Sequence, residues 1–261
     1  MKEIIFRQWT ADDLTFNLQT KLTFAQCDKN SKLAWSELLR LTSDIAVEDF
    51  NMRGLPWQFL VEKGIIFVVS RSSYHIKKMP GAEDEITLST WEEKATGPFF
   101  TRRYQIKNTA NGEILITGFS LFTLIDFKSR KIVPEKDFDL RPRPEKSTDF
   151  DGIMPGRIKE IDGMKKIGSH TVSYSDMDSN GHANNSKYMN FVLDALPEKF
   201  QQAVFKDLRI NYSKEALYGT TIELFSDLEN VDAAQNAADK KIRVIGKCQG
   251  QICFECELYL E

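Results

Sequence analysis

The chain has 261 residues, 41% of them hydrophobic and 28% charged, which is ordinary for a globular protein with a real core in one large domain or two smaller ones. Its formal net charge of −3 argues against a general nucleic-acid binder, whose footprint is a strong basic excess. Charges interrupt the N-terminal M-K-E-I-I-F-R-Q-W, so it does not read as a secretory signal, and the longest uncharged apolar stretch, Ile114 to Ile125, is too short to span a bilayer as a helix.

Taken in chain order, the first element with a clear period is an amphipathic helix from Leu33 to Phe50, whose apolar stripe is Leu38, Leu39, Leu41, Ile45 and Val47. Runs with strand-like alternation follow at 69–88 and 112–122. The basic patches His75-Ile76-Lys77-Lys78 and Lys128-Ser129-Arg130-Lys131 read as solvated loops or as docking points for an acidic partner. Residues 134–156 are rich in proline and charge and are expected to be a linker between a first domain (1–133) and a second (157–261). Beyond it comes Y-S-D-M-D-S-N-G-H-A-N-N-S-K-Y (174–188), then a helix from Asn184 to Leu196, then strands at 208–224 and 250–260. Cys253 and Cys256 form a C-x-x-C inside an alternating run, where positions three apart face opposite sides, so they read as core thiols rather than metal ligands. With no export signal, the four cysteines are expected reduced, in a cytoplasm.

The two domains are written in the same order. Placing Asp178 on Asp28, an offset of 150, also puts Tyr174 on Phe24 and Asn180 on Asn30, and both segments lead into the amphipathic helices. The strands align when Ile86 sits on Ile222 and Gly112 on Gly250. Each half therefore reads as a strand, a helix and a meander of strands, an α+β layer in which an antiparallel sheet covers the helix.

Within the 174–188 stretch, Asp178, Asn180 and His182 are spaced i, i+2, i+4, which lines one wall if the segment is extended. The following helix, with an Asn N-cap, offers unpaired backbone N–H groups that can steady an oxyanion. The bland reading is a polar turn with an incidental histidine. The repeat weighs against it: the first copy keeps Asp28 and Asn30 but has Lys32 where the second has His182, and Glu215 of the second copy falls on Met79 of the first. A carboxylate and an imidazole in one copy, replaced in the other, suggest one working site and one degenerate site.

The segment S-D-M-D-S-N-G-H-A-N-N-S-K-Y is similar to the D-x-D-x-N-x-H-x-N-N-x-K-Y signature of acyl-acyl carrier protein thioesterases, and R-I-N-Y-S-K-E-A resembles their strand ending in Y-x-x-E-C. In the first half, I-F-V-V-S-R, T-W and T-G-F-S-L-F-T-L-I-D match that family's pattern in order, so the resemblance covers nearly the whole chain. It implies two tandem hotdog domains, each a helix wrapped by an antiparallel sheet, packed as a pseudo-dimer. It further implies that Asp178, Asn180, His182 and Glu215 are the catalytic group of a thioester hydrolase that needs neither metal nor cofactor. The family often has Cys after the glutamate; here Ala216 stands there, so a cysteine nucleophile is not expected and water or a carboxylate must attack. Glu215 would be general base or nucleophile, and His182 would orient or deprotonate water and protonate the leaving thiolate. Asp178 would fix the imidazole, and Asn180 would hold the water or the carbonyl.

The family's acyl tunnel lies in the first half, where Leu55, Trp57, Phe59, Leu60, Ile65 and Phe67 are expected to line it or simply to be core. The implied partner is a fatty acyl carrier protein, with Lys187 and Lys214 suited to its acidic surface; neither nucleic acid nor a membrane is expected. The duplicated chain would act as a monomeric pseudo-dimer or dimerise again. Rival readings are an acyl-CoA thioesterase of the same fold, a hotdog dehydratase (which would set its His and carboxylate across the paired domains) and a non-catalytic acyl-binding protein.

Overall fold

The computed structural model describes residues 6–142, 144–228 and 240–261; the charged start at 1–5 and Arg143 of the expected linker lie outside them. The chain divides into two compact units, Met1–Met154 and Pro155–Glu261.

In the first unit, β1 (Arg7–Thr10) and β2 (Phe16–Lys21) precede helices α1 (Trp35–Met52) and α2 (Trp57–Glu62). Four long strands follow: β3 (Ile65–Ile76), β4 (Glu85–Thr96), β5 (Phe99–Asn108) and β6 (Ile114–Asp126). They form an antiparallel sheet in the order β1-β2-β4-β5-β6-β3. Helix α1 buries Leu38, Leu39, Leu41, Thr42, Ile45, Ala46 and Asp49, a helical stripe that packs on β4 and β2. Val47, assigned above to that stripe, is half exposed at 50%, since it lies two residues past Ile45 and so on another side of the helix.

The second unit repeats the plan with β7 (Lys165–Thr171), α3 (Tyr188–Ala195), a short α4 (Glu198–Gln201), β8 (Phe205–Tyr212), β9 (Thr221–Ser226), β10 (Lys241–Cys248) and β11 (Gln251–Leu260). Its antiparallel order, β7-β9-β10-β11-β8, is that of β2-β4-β5-β6-β3 in the first unit. The register agrees as well: Thr20 pairs with Ile86 and His170 with Ile222, each 150 or 136 residues from its counterpart. Gly112 and Gly250, aligned by sequence, both open a hairpin end with positive φ (72° and 77°), where a side chain is disfavoured.

Residues 134–156 read as a linker, yet most of that stretch belongs to the first unit as a strap. Lys94 N donates to Lys146 O (2.9 Å), Thr148 N to Glu93 Oε1 (2.9 Å), and Asp151 pairs with Lys77 (2.6 Å). Phe138, 4% exposed, is inserted among Leu55, Leu60, Phe100 and Leu124. Apart from a short 3-10 turn at Glu135–Asp137, proline and charge keep the strap out of regular structure, but Phe138 and Leu140 pack inward. Among the described residues no helix is long and apolar enough to cross a membrane.

Each unit also buries a charge network that composition does not reveal. In the first, Asp49 on α1 accepts from Arg102 Nη1 and Arg53 Nε (both 2.8 Å), and Glu92 takes Arg141 Nη2 (2.5 Å). In the second, Glu257 meets Arg209, Arg243, Lys241 and Tyr259, and is 2% exposed. Burial alone would raise the Glu257 carboxyl, but the Tyr259 hydroxyl and the surrounding cations hold it down at about 2.

Candidate active site

Asp178 and His182 lie on a tight turn, not an extended run. Asp178 N donates to His182 O (2.9 Å), Gly181 N to Asp178 O (3.1 Å) and Asn180 N to Asp178 Oδ1 (2.8 Å). Met177 and Ala183 bridge in antiparallel fashion, and Asn184 N donates to Asp176 O (2.8 Å). Gly181, at φ +84°, makes the reversal. The expected i, i+2, i+4 wall is thereby replaced by a face-to-face pair: His182 Nδ1 stands 3.7 Å from Asp178 Oδ1 across the turn. Asn180 is exposed at the tip and joins the turn through its backbone N–H.

The other ring nitrogen of His182, Nε2, is 3.5 Å from Glu215 Oε1, so the imidazole stands between two carboxylates. At these separations neither contact is a close hydrogen bond. Glu215 does not end strand β8, which stops at Tyr212; it sits in the loop that follows. Ser213 N and Lys214 N both donate to Cys253 O (2.8 and 3.1 Å), Ala183 N donates to Ala216 O (2.8 Å), and Tyr188 is hydrogen-bonded by the Ala216 backbone. Glu215 is thus held from both sides, with Ala216 fully buried.

Asn184 caps the helix entrance as expected, its Oδ1 accepting from Ser186 N (2.9 Å). The first turn is a 3-10 turn (Asn185–Lys187) that runs into α3, and Lys187 N is bonded to Asn184 O (2.9 Å). Asn185 N–H is the donor of that turn without a bond of its own among the described residues.

The first unit contains the same turn. Asp28 N donates to Lys32 O (2.7 Å), Asn30 N to Asp28 Oδ1 (2.8 Å), Ala34 N to Gln26 O (3.0 Å) and Leu33 N to Pro80 O (2.8 Å). This last bond is the counterpart of Ala183 to Ala216, so it confirms that Met79 occupies the place of Glu215. Lys32 and Met79 stand where the other copy has His182 and Glu215, so the first turn keeps the backbone and lacks the acid–base groups.

Neither thiol of the C-x-x-C is poised to act as a nucleophile. Cys253 and Cys256 are both buried, and burial pushes the Cys253 thiol up to about 11 and Cys256 higher still. Among the described residues no group of three or more His, Cys, Asp or Glu is arranged to hold a metal.

Of the residues expected to line the acyl tunnel, Leu55 and Leu60 are buried, and Phe59, Ile65 and Phe67 pack on the same cluster. Trp57 does not join them: it opens α2 and is 55% exposed. Sequence reading missed Phe50, Phe100, Phe122 and Phe138, which surround Phe67. Phe50 stacks on it at 5.0 Å, and Phe100 and Phe138 meet it edge-on at 5.0 and 5.4 Å. A narrow hollow, too tight to hold a water, is lined by Phe50, Phe67, Phe100, Phe122 and Thr101 together with Glu92 and Arg102 of the buried charge network.

The chain matches the model of the acyl-ACP thioesterase N-terminal domain over residues 13–137 and that of the C-terminal domain over 159–256. It is 25% identical over 179 residues to the chloroplastic palmitoyl-acyl carrier protein thioesterase of Cuphea hookeriana, covering 65% of this chain and 43% of that protein. It is 22% identical over 174 residues to a chloroplastic dodecanoyl-[acyl-carrier-protein] hydrolase of Cinnamomum camphora, covering 62% of this chain and 44% of that protein. The chain thus spans less than half the length of the curated relatives it matches. An acyl-ACP thioesterase structure from Bacteroides thetaiotaomicron superposes with a TM-score of 0.79 at 22% identity, over 95% of this chain and 98% of that one. The 12:0-ACP thioesterase of Umbellularia californica superposes with a TM-score of 0.78 at 14% identity, over 97% and 99%. At these identities the structures establish the fold, two tandem hotdog domains. Because the two domain models together span most of its length, the chain belongs to the acyl-ACP thioesterase family.

Proposed function

We propose that the protein hydrolyses the thioester of a fatty acyl-acyl carrier protein, releasing free fatty acid and ending chain elongation. One observation carries the reading: an imidazole stands between two carboxylates on a turn whose twin in the same chain has lysine and methionine at those places. A duplicated fold needs the turn twice, but the acid–base groups only where chemistry occurs.

In this reading, Glu215 and His182 take a proton from water as its oxygen attacks the thioester carbonyl carbon. The negative charge passes to the carbonyl oxygen, for which Asn185 N–H at the helix entrance is the uncommitted donor. One such donor is typically worth about 10²–10³ in rate. Collapse of the tetrahedral intermediate breaks the C–S bond, and the protonated His182 returns its proton to the thiolate, giving the thiol and the fatty acid. Asp178 holds the Nδ1 side of the ring. Asn180, exposed at the turn tip, offers its amide to the water or to the substrate.

The acyl chain is assigned to the phenylalanine-walled hollow of the first unit. The surrounding rings leave no room in it even for a water, so those around Phe67 must shift to admit a long chain. Lys187 and Lys214 flank the catalytic loops in sequence and suit an acidic carrier. The four cysteines are free thiols, in keeping with a reducing cytoplasm.

Thiol release from carrier-protein and CoA thioesters of eight to eighteen carbons tests the reading. Release from carrier substrates, lost in His182→Ala and Glu215→Gln, supports it. Equal rates on CoA thioesters would keep the chemistry and refute the carrier. Acyl binding without release would make the protein a binder.

A further inference from the structure

A second imidazole–carboxylate pair lies directly behind the catalytic turn. His170 Nε2 on β7 is 2.7 Å from Asp176 Oδ2. The same oxygen accepts from Ser173 N and Ser173 Oγ, both at 2.8 Å. The carbonyl of Asp176 accepts the Asn184 N–H at 2.8 Å, the outermost bond closing the 177–183 turn. On its other face the His170 ring lies flat on Phe191 of α3, with centroids 3.8 Å apart and planes at 16°. One residue pair therefore ties together the strand before the turn, the turn's two ends and the helix that follows. Burial alone would raise the Asp176 carboxyl; the His170 and Ser173 donors outweigh it and hold the group below the usual carboxylate range, so it stays an ionised acceptor.

The first unit closes its turn without this pair. Gln26 stands in place of Asp176, its Oε1 accepting from Thr23 N and Thr23 Oγ (both 2.9 Å), while its carbonyl accepts Ala34 N (3.0 Å). Thr20 stands in place of His170 and Leu41 in place of Phe191. Closing the turn thus needs only a neutral acceptor at the position of residue 176. The imidazole–carboxylate pair occurs in the half that also has His182 and Glu215, and its extra contacts reach the strand and helix on either side of the turn.

We infer that His170 and Asp176 are positioning residues for the reaction: they lock the turn against α3 so that His182 keeps its place between Asp178 and Glu215. Neither touches the reacting atoms in this assignment. It rests on the thioesterase reading above and adds to it a pair that none of the expected catalytic residues includes. The step affected is proton transfer, which is sensitive to misplacement because an error of about 1 Å can cost about 100-fold.

The test replaces the pair by its first-half counterpart, H170T/D176Q, a combination that closes the same turn elsewhere in this chain. Thiol release from acyl-carrier-protein substrate is measured for the unaltered protein, the double variant and each single variant, together with thermal unfolding. The expected result is a fall in kcat of about 10- to 100-fold, with KM within about twofold and the melting temperature close to the unaltered value, the double variant being no worse than the worse single. An unchanged kcat in the folded double variant would overturn the inference. If that variant does not fold, the comparison passes to H170Q, whose amide can still donate to Asp176, against H170A: rescue by H170Q supports the inference, and full activity in H170A overturns it. An unaltered protein that releases no thiol would instead refute the thioesterase reading on which the pair's role depends.

Discussion

The turns at 28–32 and 178–182 have the same backbone and different chemistry. Both begin with an aspartate whose carboxylate takes the N–H two residues on, and both are stitched to a downstream loop by a matching backbone bond, Leu33 N to Pro80 O or Ala183 N to Ala216 O, to which the first turn adds Ala82 N to Ser31 O. Asp28 and Asp178 are therefore structural in both copies, whereas His182 and Glu215 exist in one. The contrast separates two roles that a single copy would confound. What recurs in both turns is needed to fold the turn, whether or not it also serves the reaction as Asp178 does, and what appears once is a candidate for chemistry alone.

The largest expected effect tests whether the units are equally dependent on buried charge. Asp49→Ala takes from the fully buried Arg102 its closest carboxylate, leaving Thr90 Oγ1 at 3.2 Å and Glu92 at 3.9 Å, and breaking a buried pair of this kind typically costs about 3–5 kcal/mol, to be read from denaturant unfolding. The second unit makes the matching prediction through pH. Glu257 titrates near 2 in the folded protein against an ordinary 4.5, a depressed value. Its contribution, about 3 kcal/mol, is therefore present above pH 4.5 and lost as pH falls toward 2. Glu257→Gln should flatten the acid limb of the stability profile, and an unchanged limb would assign acid lability to other groups.

Asp178→Ala and Asp28→Ala sharpen the contrast at the turns. Both remove a side-chain acceptor for backbone N–H, so each should lower stability by about 1 kcal/mol. Asp178→Ala should also cut kcat by about 100-fold, because the imidazole loses its partner on the Nδ1 side. Equal kinetic loss in both variants would erase the distinction between the copies. The smallest effect concerns the reversal residue. Ser31 adopts φ +57° where Gly181 adopts +84°. Ser31→Gly should leave stability unchanged or raise it by up to about 1 kcal/mol, and Gly181→Ala should lower it by about 1–2 kcal/mol from backbone strain alone, since nothing lies within 4 Å of the added Cβ.

Much of this was legible in the sequence because duplication doubles the signal. The offset of 150 carries through the strand register of β2 and β7, and the assignment of Met79 to the place of Glu215 is met by a backbone bond. The shape of the turn was not legible. Alternating Asp178, Asn180 and His182 fit an extended strand as well as a reversal, and only the pairing of Met177 with Ala183 decides between them. The strap was hidden because proline and charge over residues 134–156 read as a spacer, while its inward contacts, Phe138 above all, depend on an aromatic cluster assembled from distant segments. The buried ion networks were hidden for a related reason: Asp49, Glu92 and Arg102 look like surface residues until the fold brings them together.

Mirrored substitutions in the two turns show most sharply which of them carries the chemistry. Acyl-carrier-protein thioesterase activity would be measured for His182→Ala and Glu215→Gln beside Lys32→Ala and Met79→Ala, with folding checked for all four. Loss of general acid–base groups should lower kcat by about 10²–10⁴ in the first two, while the mirrored pair keeps the rate of the unaltered protein. Comparable losses on both sides, or none on either, would contradict the assignment of the chemistry to the second turn.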